Sequence, residues 1–203
     1  LSPLFRHLLV IFTQRFPRVL FESCASGGAR FDPGMLYYMP QTWTSDDTDA
    51  VERLKIQYGT SFAYPLSAMG AHVSAAPNHQ VGRVAPFDTR AHVVLFGVFG
   101  YELDLEQLSE REREAVKAHN RFYKANRQLL HHGTFYRLTS PFDSNFACWM
   151  VVSADQRAAI LGYYTVLAQP NPPASTVKLQ GLRPEWLYAV EGAATACYGD
   201  ELM

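Results

Sequence analysis

The apolar run HVVLFGVFGYELDL, residues 92–105, is the feature that most constrains the fold. Nearly all of its residues are apolar, which is typical of a strand buried on both faces of a parallel sheet. Three other strand candidates come earlier in the chain, at residues 18–23, 39–45 and 62–74. Helical patterns alternate with these strands, at residues 4–12, 46–62 and 109–130. This alternation predicts an α/β fold, in which the polar segments after the strands build the site as they do in (β/α) barrels.

Three local signals refine these elements. The apolar residues of 4–12 predict an amphipathic helix that covers a sheet. Ser109 and Glu112 form a capping box at the start of the long helix, and residues 76–90 predict a polar loop that leads into a short helix. From His132 onward the pattern changes to short aromatic and β-branched runs separated by turns, which predicts antiparallel strands. We therefore expect two domains, a partial barrel over residues 1–131 and a truncated β-sandwich over 132–203.

The composition excludes several classes of partner. The chain has 203 residues, of which 48% are hydrophobic and 18% charged, and a net charge of -1. This balance is typical of a globular protein with a neutral ligand, and it favours neither nucleic acid nor an acidic membrane surface as a partner. The apolar run near the N-terminus is too short to span a bilayer. The chain starts inside a helix without a Met, so we expect it to be part of a longer protein.

Cysteine and histidine usage argues against a disulfide framework and a metal site, and we expect no cofactor. The three cysteines, Cys24, Cys148 and Cys197, are odd in number and irregularly spaced, which favours reduced thiols in a cytoplasmic protein. His72 and His79 lie too far apart to form an obvious metal-binding pair, and no third ligand is evident.

Three aspartates, Asp46, Asp47 and Asp49, crowd the start of the second helix. Capping by Asp47 or Asp49 is the commoner explanation of such a cluster, but a cap needs only one carboxylate. Asp46 follows the strand that contains Trp43, so its carboxylate is expected at the mouth of a barrel as a candidate general acid. Trp43 is either a core residue, or a neighbour that raises the pKa of the acid or offers a face to a sugar ring.

A second group of candidates follows the strand at residues 18–23. Cys24 is either a small packing residue or, together with Gly27 and Gly28, part of a turn that lets a ligand approach the backbone closely. No basic partner can be assigned to Cys24, so we do not expect it to act as a nucleophile. The residues alone therefore predict half of a barrel with a carboxylate at its mouth and a neutral polar ligand.

Longer motifs carry a more specific resemblance. The segments ESCASGGARFD, WTSDDTDA, KIQYG, SAMGAHVS and PNHQVGR closely resemble the bacterial α-galactosidases of glycoside hydrolase family 36. The likeness continues through GYELDL and, more loosely, through VKLQGLRPEWLYAVEG and YGDELM. It implies the C-terminal half of a (β/α)8 TIM barrel, with strands five to eight, followed by a small antiparallel β-sandwich domain.

The resemblance also implies a reaction and a set of residues. It implies a retaining glycosidase that cleaves terminal α-galactosyl residues from oligosaccharides such as melibiose or raffinose, without a metal or a cofactor. Asp46 falls on the acid/base residue of the family, and Cys24 and Gly27 fall on its sugar-binding turn. Trp43 is the fourth residue that we expect near the sugar. Relatives are often oligomers, so a homo-oligomer is expected for the full-length protein.

The sequence departs from the family in one central respect. The nucleophile of the family lies in a Lys-Trp-Asp strand, which does not occur among these residues, and the large N-terminal β domain is also missing. We therefore expect the isolated chain to be inactive. Two alternatives stay open: a non-catalytic structural or interaction module, and the same fold acting on α-N-acetylgalactosaminides or as a transglycosylase.

Overall fold

The computed structural model describes residues 3–24, 31–172 and 174–203 of the chain. It separates into two compact units, Leu1–Tyr123 and Lys124–Met203. The predicted domain boundary after residue 131 stays a prediction. Among the described residues, no helix has the length and the apolar character that crossing a membrane requires.

The first unit is built on a four-stranded sheet in which neighbouring strands are parallel and follow the chain order. Its strands are β1 (Glu22–Ser23), β2 (Gln41–Trp43), β3 (Met69–Ser74) and β4 (Val98–Glu102). Its helices are α1 (Pro3–Arg15), α2 (Pro33–Leu36), α3 (Ala50–Thr60), α4 (Phe87–Val94) and α5 (Glu110–His132), of which α5 continues into the second unit. Short 3₁₀ helices cover Leu66–Ala68 and Leu105–Gln107.

The two faces of β3 differ in chemistry because side chains alternate along a strand. Ala71 and Val73 are fully buried against Ala91 and Val94 of α4, which form one apolar cluster. The alternate positions carry Gly70, His72 and Ser74, which therefore lie on the opposite face of the sheet. All four strands run in the same direction, so their carboxyl ends share one edge. The loops that leave this edge hold the candidate site.

The capping signals in the sequence are confirmed. The Ser109 hydroxyl accepts from the Glu112 N–H at 3.3 Å, and the Glu112 carboxylate accepts from the Ser109 N–H at 2.9 Å. At the other predicted cap, Asp49 accepts hydrogen bonds from the Val51 N–H at 3.0 Å and the Glu52 N–H at 3.1 Å. Asp49, not Asp47, is therefore the N-cap of α3.

Three sequence-based expectations were wrong in detail. Residues His92–Val94 belong to α4, so the strand begins only at Val98, and its side chains are only partly buried. Strand β1 is only two residues long, and Leu20 before it is 85% exposed. Helix α1 forms as expected, but Leu9 is its one buried residue among those described. A continuous apolar run has no periodicity that distinguishes a helix end from a strand, which explains the first error.

The second unit contains two antiparallel sheets. The first consists of β5 (Thr134–Thr139), β6 (Phe146–Val152) and β7 (Ala159–Thr165), and the second of β8 (Leu187–Tyr188) and β9 (Cys197–Tyr198). A short helix, α6 (Gly199–Leu202), follows β9. Strand β6 is the centre of its sheet, and residues 147–152 are fully buried. The predicted antiparallel strands are thus confirmed, although the segment over residues 176–192 forms only the short β8.

Candidate active site

The acid loop, which we define as residues 44–49, leaves the carboxyl end of β2 and leads directly into α3. Asp46 is an exposed residue within this loop. Its carboxylate makes no hydrogen bond or ion pair within the described part of the chain, whereas its backbone carbonyl accepts one from Gln80 Nε2 at 2.6 Å. Asp46 is therefore the acid of the cluster that stays available to a ligand, and its backbone is held from a neighbouring loop.

The other two aspartates of the loop serve the backbone. Asp49 is only 2% exposed, caps α3 and is contacted by the guanidinium of Arg83. Asp47 Oδ1 accepts a hydrogen bond from the Asp49 N–H at 3.0 Å. These contacts divide the cluster into two carboxylates that bond the backbone and one exposed carboxylate, and the role of Asp46 as the general acid stays a prediction.

Arg53 is a buried cation that sequence reasoning missed. It is 0% exposed, and it donates to the Gly70 carbonyl at 2.8 Å, to Thr44 Oγ1 at 3.1 Å and to the Ser45 carbonyl at 3.3 Å. Burial lowers the pKa of Arg53 to about 10, and the nearby Asp47 and Glu102 carboxylates oppose this shift. Because it remains charged at neutral pH, Arg53 ties the two residues before Asp46 to the adjacent strand β3.

A helical spacing could have indicated the role of Arg53. The buried residues of α3 are Ala50, Arg53, Leu54 and Gln57. They follow the i, i+3, i+4, i+7 pattern of a single helix face. An arginine and a glutamine on an otherwise apolar face must find buried hydrogen-bond partners, and Gln57 finds two backbone carbonyls, those of Val93 and Phe96.

The holding loop, which we define as residues 75–86, connects β3 to α4 and reaches the acid loop. Gln80 bonds the backbone on both sides of Asp47, and Asn78 Nδ2 donates to Thr48 Oγ1 at 3.0 Å. At the end of β3, Ser74 Oγ donates to the Thr48 carbonyl at 3.0 Å. The acid loop is thus fastened mainly by polar contacts with residues about 30 positions later in the sequence.

Trp43 lies at the carboxyl end of β2 beneath the acid loop. It is 8% exposed, its ring stacks on His72 at 4.6 Å between centroids, and the Arg53 guanidinium carbon lies 4.8 Å from its ring centroid. His72 Nδ1 in turn lies 3.6 Å from Glu102 Oε2. The indole therefore belongs to the protein core at the strand end. Its predicted contact with a sugar stays a prediction.

No set of three or more His, Cys, Asp or Glu side chains within residues 3–24, 31–172 and 174–203 is arranged to hold a metal ion. His72 is engaged by Trp43 and Glu102 as described above. His79 is an exposed residue of the holding loop. The chemistry available at this edge of the sheet is therefore that of an exposed carboxylate on a firmly held loop.

Comparison with known families identifies this arrangement. The Melibiase family matches residues 4–133, and the glycosyl hydrolase family 36 C-terminal domain matches residues 146–203. The chain belongs to glycoside hydrolase family 36. The first match contains all four strands of the parallel sheet, and the second contains strands β6 to β9 of the antiparallel sheets.

Individual family 36 proteins are also similar. The chain is 61% identical over 191 residues to the α-galactosidase AgaA of Geobacillus stearothermophilus. The aligned residues cover 94% of this chain and 26% of AgaA. The crystal structure of an AgaA variant in complex with raffinose matches with a TM-score of 0.94 and 59% identity, over 97% of this chain and 27% of that one. An α-galactosidase structure from Lactobacillus brevis matches with a TM-score of 0.95 and 53% identity, over the same shares. The chain therefore spans about a quarter of the length of its family 36 relatives.

Two further residues, Cys24 and Gly27, are carried over from family 36. Cys24 directly follows β1 and is exposed, as a ligand-facing residue must be. Gly27, like its neighbours at residues 25–30, lies outside the described residues. Because β1 and β2 are adjacent and parallel, Cys24 and the acid loop leave the same edge of the sheet. The contacts of Cys24 and Gly27 with a sugar stay predictions.

Proposed function

We propose that this chain supplies the acid/base part of the active site of a retaining α-galactosidase. The single observation that carries the proposal is the exposed carboxylate of Asp46, which makes no hydrogen bond or ion pair with the described residues, on a loop whose backbone is held by Gln80. The similarity to named α-galactosidases supports it, as do AgaA variants crystallised in complex with raffinose and with stachyose. The substrate class is an oligosaccharide with a terminal α-galactosyl residue, such as melibiose or raffinose.

The proposed mechanism uses Asp46 twice. As an acid it protonates the glycosidic oxygen while a second carboxylate attacks the anomeric carbon and forms a covalent galactosyl intermediate. As a base it then removes a proton from the water that hydrolyses this intermediate. In a retaining enzyme the two carboxyl groups are about 5 to 5.5 Å apart, which leaves no room for a water molecule between them in the first step.

The second carboxylate is proposed to come from sequence outside these 203 residues. The Lys-Trp-Asp sequence that carries it in relatives does not occur in this chain. The isolated 203-residue chain is therefore expected not to hydrolyse α-galactosides. Measurable turnover of p-nitrophenyl α-galactoside by the isolated chain, lost in Asp46→Asn, would show that a carboxylate of this chain is the nucleophile instead.

We also propose that the full-length protein is a cytoplasmic homo-oligomer. Three described cysteines, Cys24, Cys148 and Cys197, are free thiols, which supports a reducing compartment. The oligomer rests on analogy with relatives, and sedimentation velocity of the full-length protein measures it directly.

The leaving group tests the role of Asp46 in the full-length enzyme. A sugar leaving group needs a proton as it departs, whereas p-nitrophenolate leaves without one. Asp46→Asn should therefore lower kcat/KM for raffinose by about 10²- to 10⁴-fold, the usual contribution of general acid catalysis, and lower kcat/KM for p-nitrophenyl α-galactoside far less. An unchanged kcat/KM for raffinose would refute the assignment. Asp155→Asn, at an exposed aspartate of the second unit that accepts a hydrogen bond from the Arg157 N–H, is the matched control and should leave both values unchanged.

A further inference from the structure

The segment PNHQVGR, residues 77–83, has no role in the reaction as proposed so far, yet it makes the closest contacts with the acid loop. Gln80 Nε2 donates to the Asp46 carbonyl at 2.6 Å, and Gln80 Oε1 accepts from the Thr48 N–H at 3.0 Å. One side-chain amide thus bonds the backbone on both sides of Asp47. A planar amide with a donor and an acceptor side by side is the group that such a two-point contact requires.

The main chain of Gln80 is itself fixed by Asn78. Asn78 is only 4% exposed, and its Oδ1 accepts from the Gln80 N–H at 3.0 Å and from the Val81 N–H at 3.1 Å. Its backbone closes the turn, because the Asn78 N–H donates to the Arg83 carbonyl at 2.8 Å and its carbonyl accepts from the Gly82 N–H at 2.8 Å. Gln80 therefore projects from a preorganised turn.

The position of the Asp46 carboxylate depends on this backbone contact. Within the described part of the chain its carboxylate has no hydrogen-bond donor that would orient it, so its position follows from the position of its main chain. The Gln80 contact fixes the peptide plane that follows Asp46. Since a displacement of about 1 Å can slow an enzymatic step by about 100-fold, a loosened peptide plane has a kinetic consequence.

We propose that Gln80 is a positioning residue for acid/base catalysis, which holds the Asp46 carboxylate in place through the backbone of the acid loop. This inference rests on the proposed function of Asp46. Both polar atoms of the Gln80 amide are engaged by the protein, so Gln80 acts through Asp46 and not by contact with the sugar. The holding loop and the acid loop then act as one structural unit, in which the turn of residues 77–83 determines the position of the Asp46 carboxylate.

A merely structural role for Gln80 makes a different prediction. If the contact only stabilised the fold, its loss would lower the melting temperature and would reduce the rates on all substrates by the same factor. A positioning role acts on proton transfer, so its loss should lower kcat/KM mainly for substrates whose leaving group needs a proton. The ratio of kcat/KM for raffinose to kcat/KM for p-nitrophenyl α-galactoside separates the two roles.

The experiment uses the full-length enzyme with Gln80→Met, which keeps the length of the side chain and removes both polar atoms. We expect kcat/KM for raffinose to fall by about 10- to 100-fold, with a change of less than about threefold for p-nitrophenyl α-galactoside. Gln128→Met is the matched control, because Gln128 is an exposed glutamine of the long helix α5, and it should leave the ratio unchanged. Gln80 is exposed, so the fold should tolerate the change, and thermal unfolding checks this.

A second variant tests the turn that carries Gln80. Asn78→Ala removes the anchor of the Gln80 main chain, so it should lower the same ratio. Because the two residues act through one path, the double variant should lose less than the product of the two single losses. Independent, multiplicative losses would contradict a shared path through Gln80.

Asp46→Asn, measured alongside, separates the two levels of the proposal. If Asp46→Asn shows the leaving-group dependence and Gln80→Met lowers both substrates equally, or neither, the positioning role is overturned while the proposed function stands. If Asp46→Asn itself shows no leaving-group dependence, the proposed function fails and the inference fails with it. If both variants lower the raffinose value selectively, both are supported.

Discussion

The two units of this chain hold their centres together in different ways. Among the described residues, the buried side chains of polar or charged type all lie in the first unit, at Ser23, Thr42, Thr48, Asp49, Arg53, Gln57, Ser74, Asn78, Arg90 and His119. The second unit is centred on β6, whose residues 147–152 are buried, and on an apolar cluster of Met150, Val152 and Leu182. The first unit carries the candidate site, and the second carries none of the residues assigned to it.

This difference shows where positional accuracy is needed. Apolar burial is non-directional, so it stabilises a sheet without fixing where one loop atom lies. Hydrogen bonds from buried side chains to backbone carbonyls are directional, and they hold specific atoms at specific points. Arg53 and Gln57 make such contacts from α3, and Arg90 makes one from α4 to the Ser74 carbonyl. We therefore expect polar changes in the first unit to alter activity, and apolar changes in the second to alter stability alone.

The largest effect on stability is expected from a substitution at Arg53. Arg53→Met leaves the carbonyls of Gly70 and Ser45 and the Thr44 hydroxyl without their buried donor, and each such loss typically costs about 1 to 3 kcal/mol. The free energy of unfolding should fall by about 3 to 5 kcal/mol. At a temperature where the variant is folded, kcat/KM for raffinose should fall as well, because the strand end before Asp46 is released.

Urea unfolding and steady-state kinetics of the full-length enzyme check the Arg53 prediction. Arg111→Met is its matched control, since Arg111 is an exposed residue of α5. An Arg53→Met variant with unaltered stability would show that the buried guanidinium makes no net contribution to the free energy of unfolding. It would contradict the view that directional polar contacts hold the first unit.

The next effect is expected in the second unit, at Met150. Met150 is 0% exposed and belongs to the apolar cluster with Val152 and Leu182. Met150→Ala should lower the free energy of unfolding by about 2 to 5 kcal/mol through lost burial and the cavity that remains. Below its melting temperature, the ratio of kcat/KM for raffinose to that for p-nitrophenyl α-galactoside should stay at the wild-type value. A selective loss on raffinose would mean that the second unit also positions the acid.

A smaller effect is expected at the helix cap. Asp49→Ala removes the acceptor of the Val51 and Glu52 N–H groups and should cost about 1 to 2 kcal/mol, while Asp49→Asn keeps a capping oxygen and should cost less. Differential scanning calorimetry of the two variants gives the order. If both variants lose the same free energy of unfolding, the loss comes from the Arg83 contact and not from the cap, because asparagine also weakens the contact with Arg83.

The smallest effect is expected in the pH dependence of stability. Burial lowers the pKa of His119 below its ordinary value of 6.5, the neighbouring Asp88 carboxylate opposes this shift, and His92 adds to it. The Tyr101 hydroxyl also faces the ring, 3.2 Å from Nδ1, and burial raises its pKa to about 12, so it stays neutral.

The sign for His119 follows from these shifts. The unfolded chain binds a proton at about pH 6.5, whereas the folded chain resists it to lower pH, so stability falls as the pH drops from about 6.5 towards the folded pKa. His119→Gln should reduce this loss in denaturant titrations at pH 7.5 and pH 5.5. The second unit offers a contrast, because burial raises the pKa of Cys148 to about 11 and keeps that thiol neutral throughout. An unaltered pH dependence in His119→Gln would contradict the assignment.

The sequence alone predicts the elements with clear periodicity or caps. The α3 cap and the Ser109–Glu112 capping box are confirmed, as is the order of the predicted strands and helices in the first unit, because capping and periodicity are local properties. The short helix α2 was not predicted. The predicted start of β4 was wrong because residues 93–99 form one apolar run that spans the end of the helix and the start of the strand. The apolar face of α1 is largely exposed among the described residues, and periodicity cannot tell whether such a face is covered.

The candidate site is predictable only in part, for the same reason. The position of Asp46 after a strand and the surplus of carboxylates over caps single it out from the amino-acid sequence alone. The residues that hold it are not visible in the same way, because Gln80 reaches Asp46 across 34 positions and no spacing rule links them. The similarity of PNHQVGR to relatives marked the segment, but only the contacts assign it a role.

The role of Asp46 can be tested directly by identifying the product that azide forms with Asp46→Asn in the full-length enzyme. In this variant the galactosyl intermediate formed from p-nitrophenyl α-galactoside is hydrolysed slowly, because no carboxylate deprotonates the attacking water. Azide needs no base and therefore attacks the intermediate instead. If Asp46 is the acid/base residue, the product is α-galactosyl azide, with the anomeric configuration retained, and its proton NMR spectrum identifies it. β-Galactosyl azide would show that Asp46 is the nucleophile, and that outcome would contradict the account.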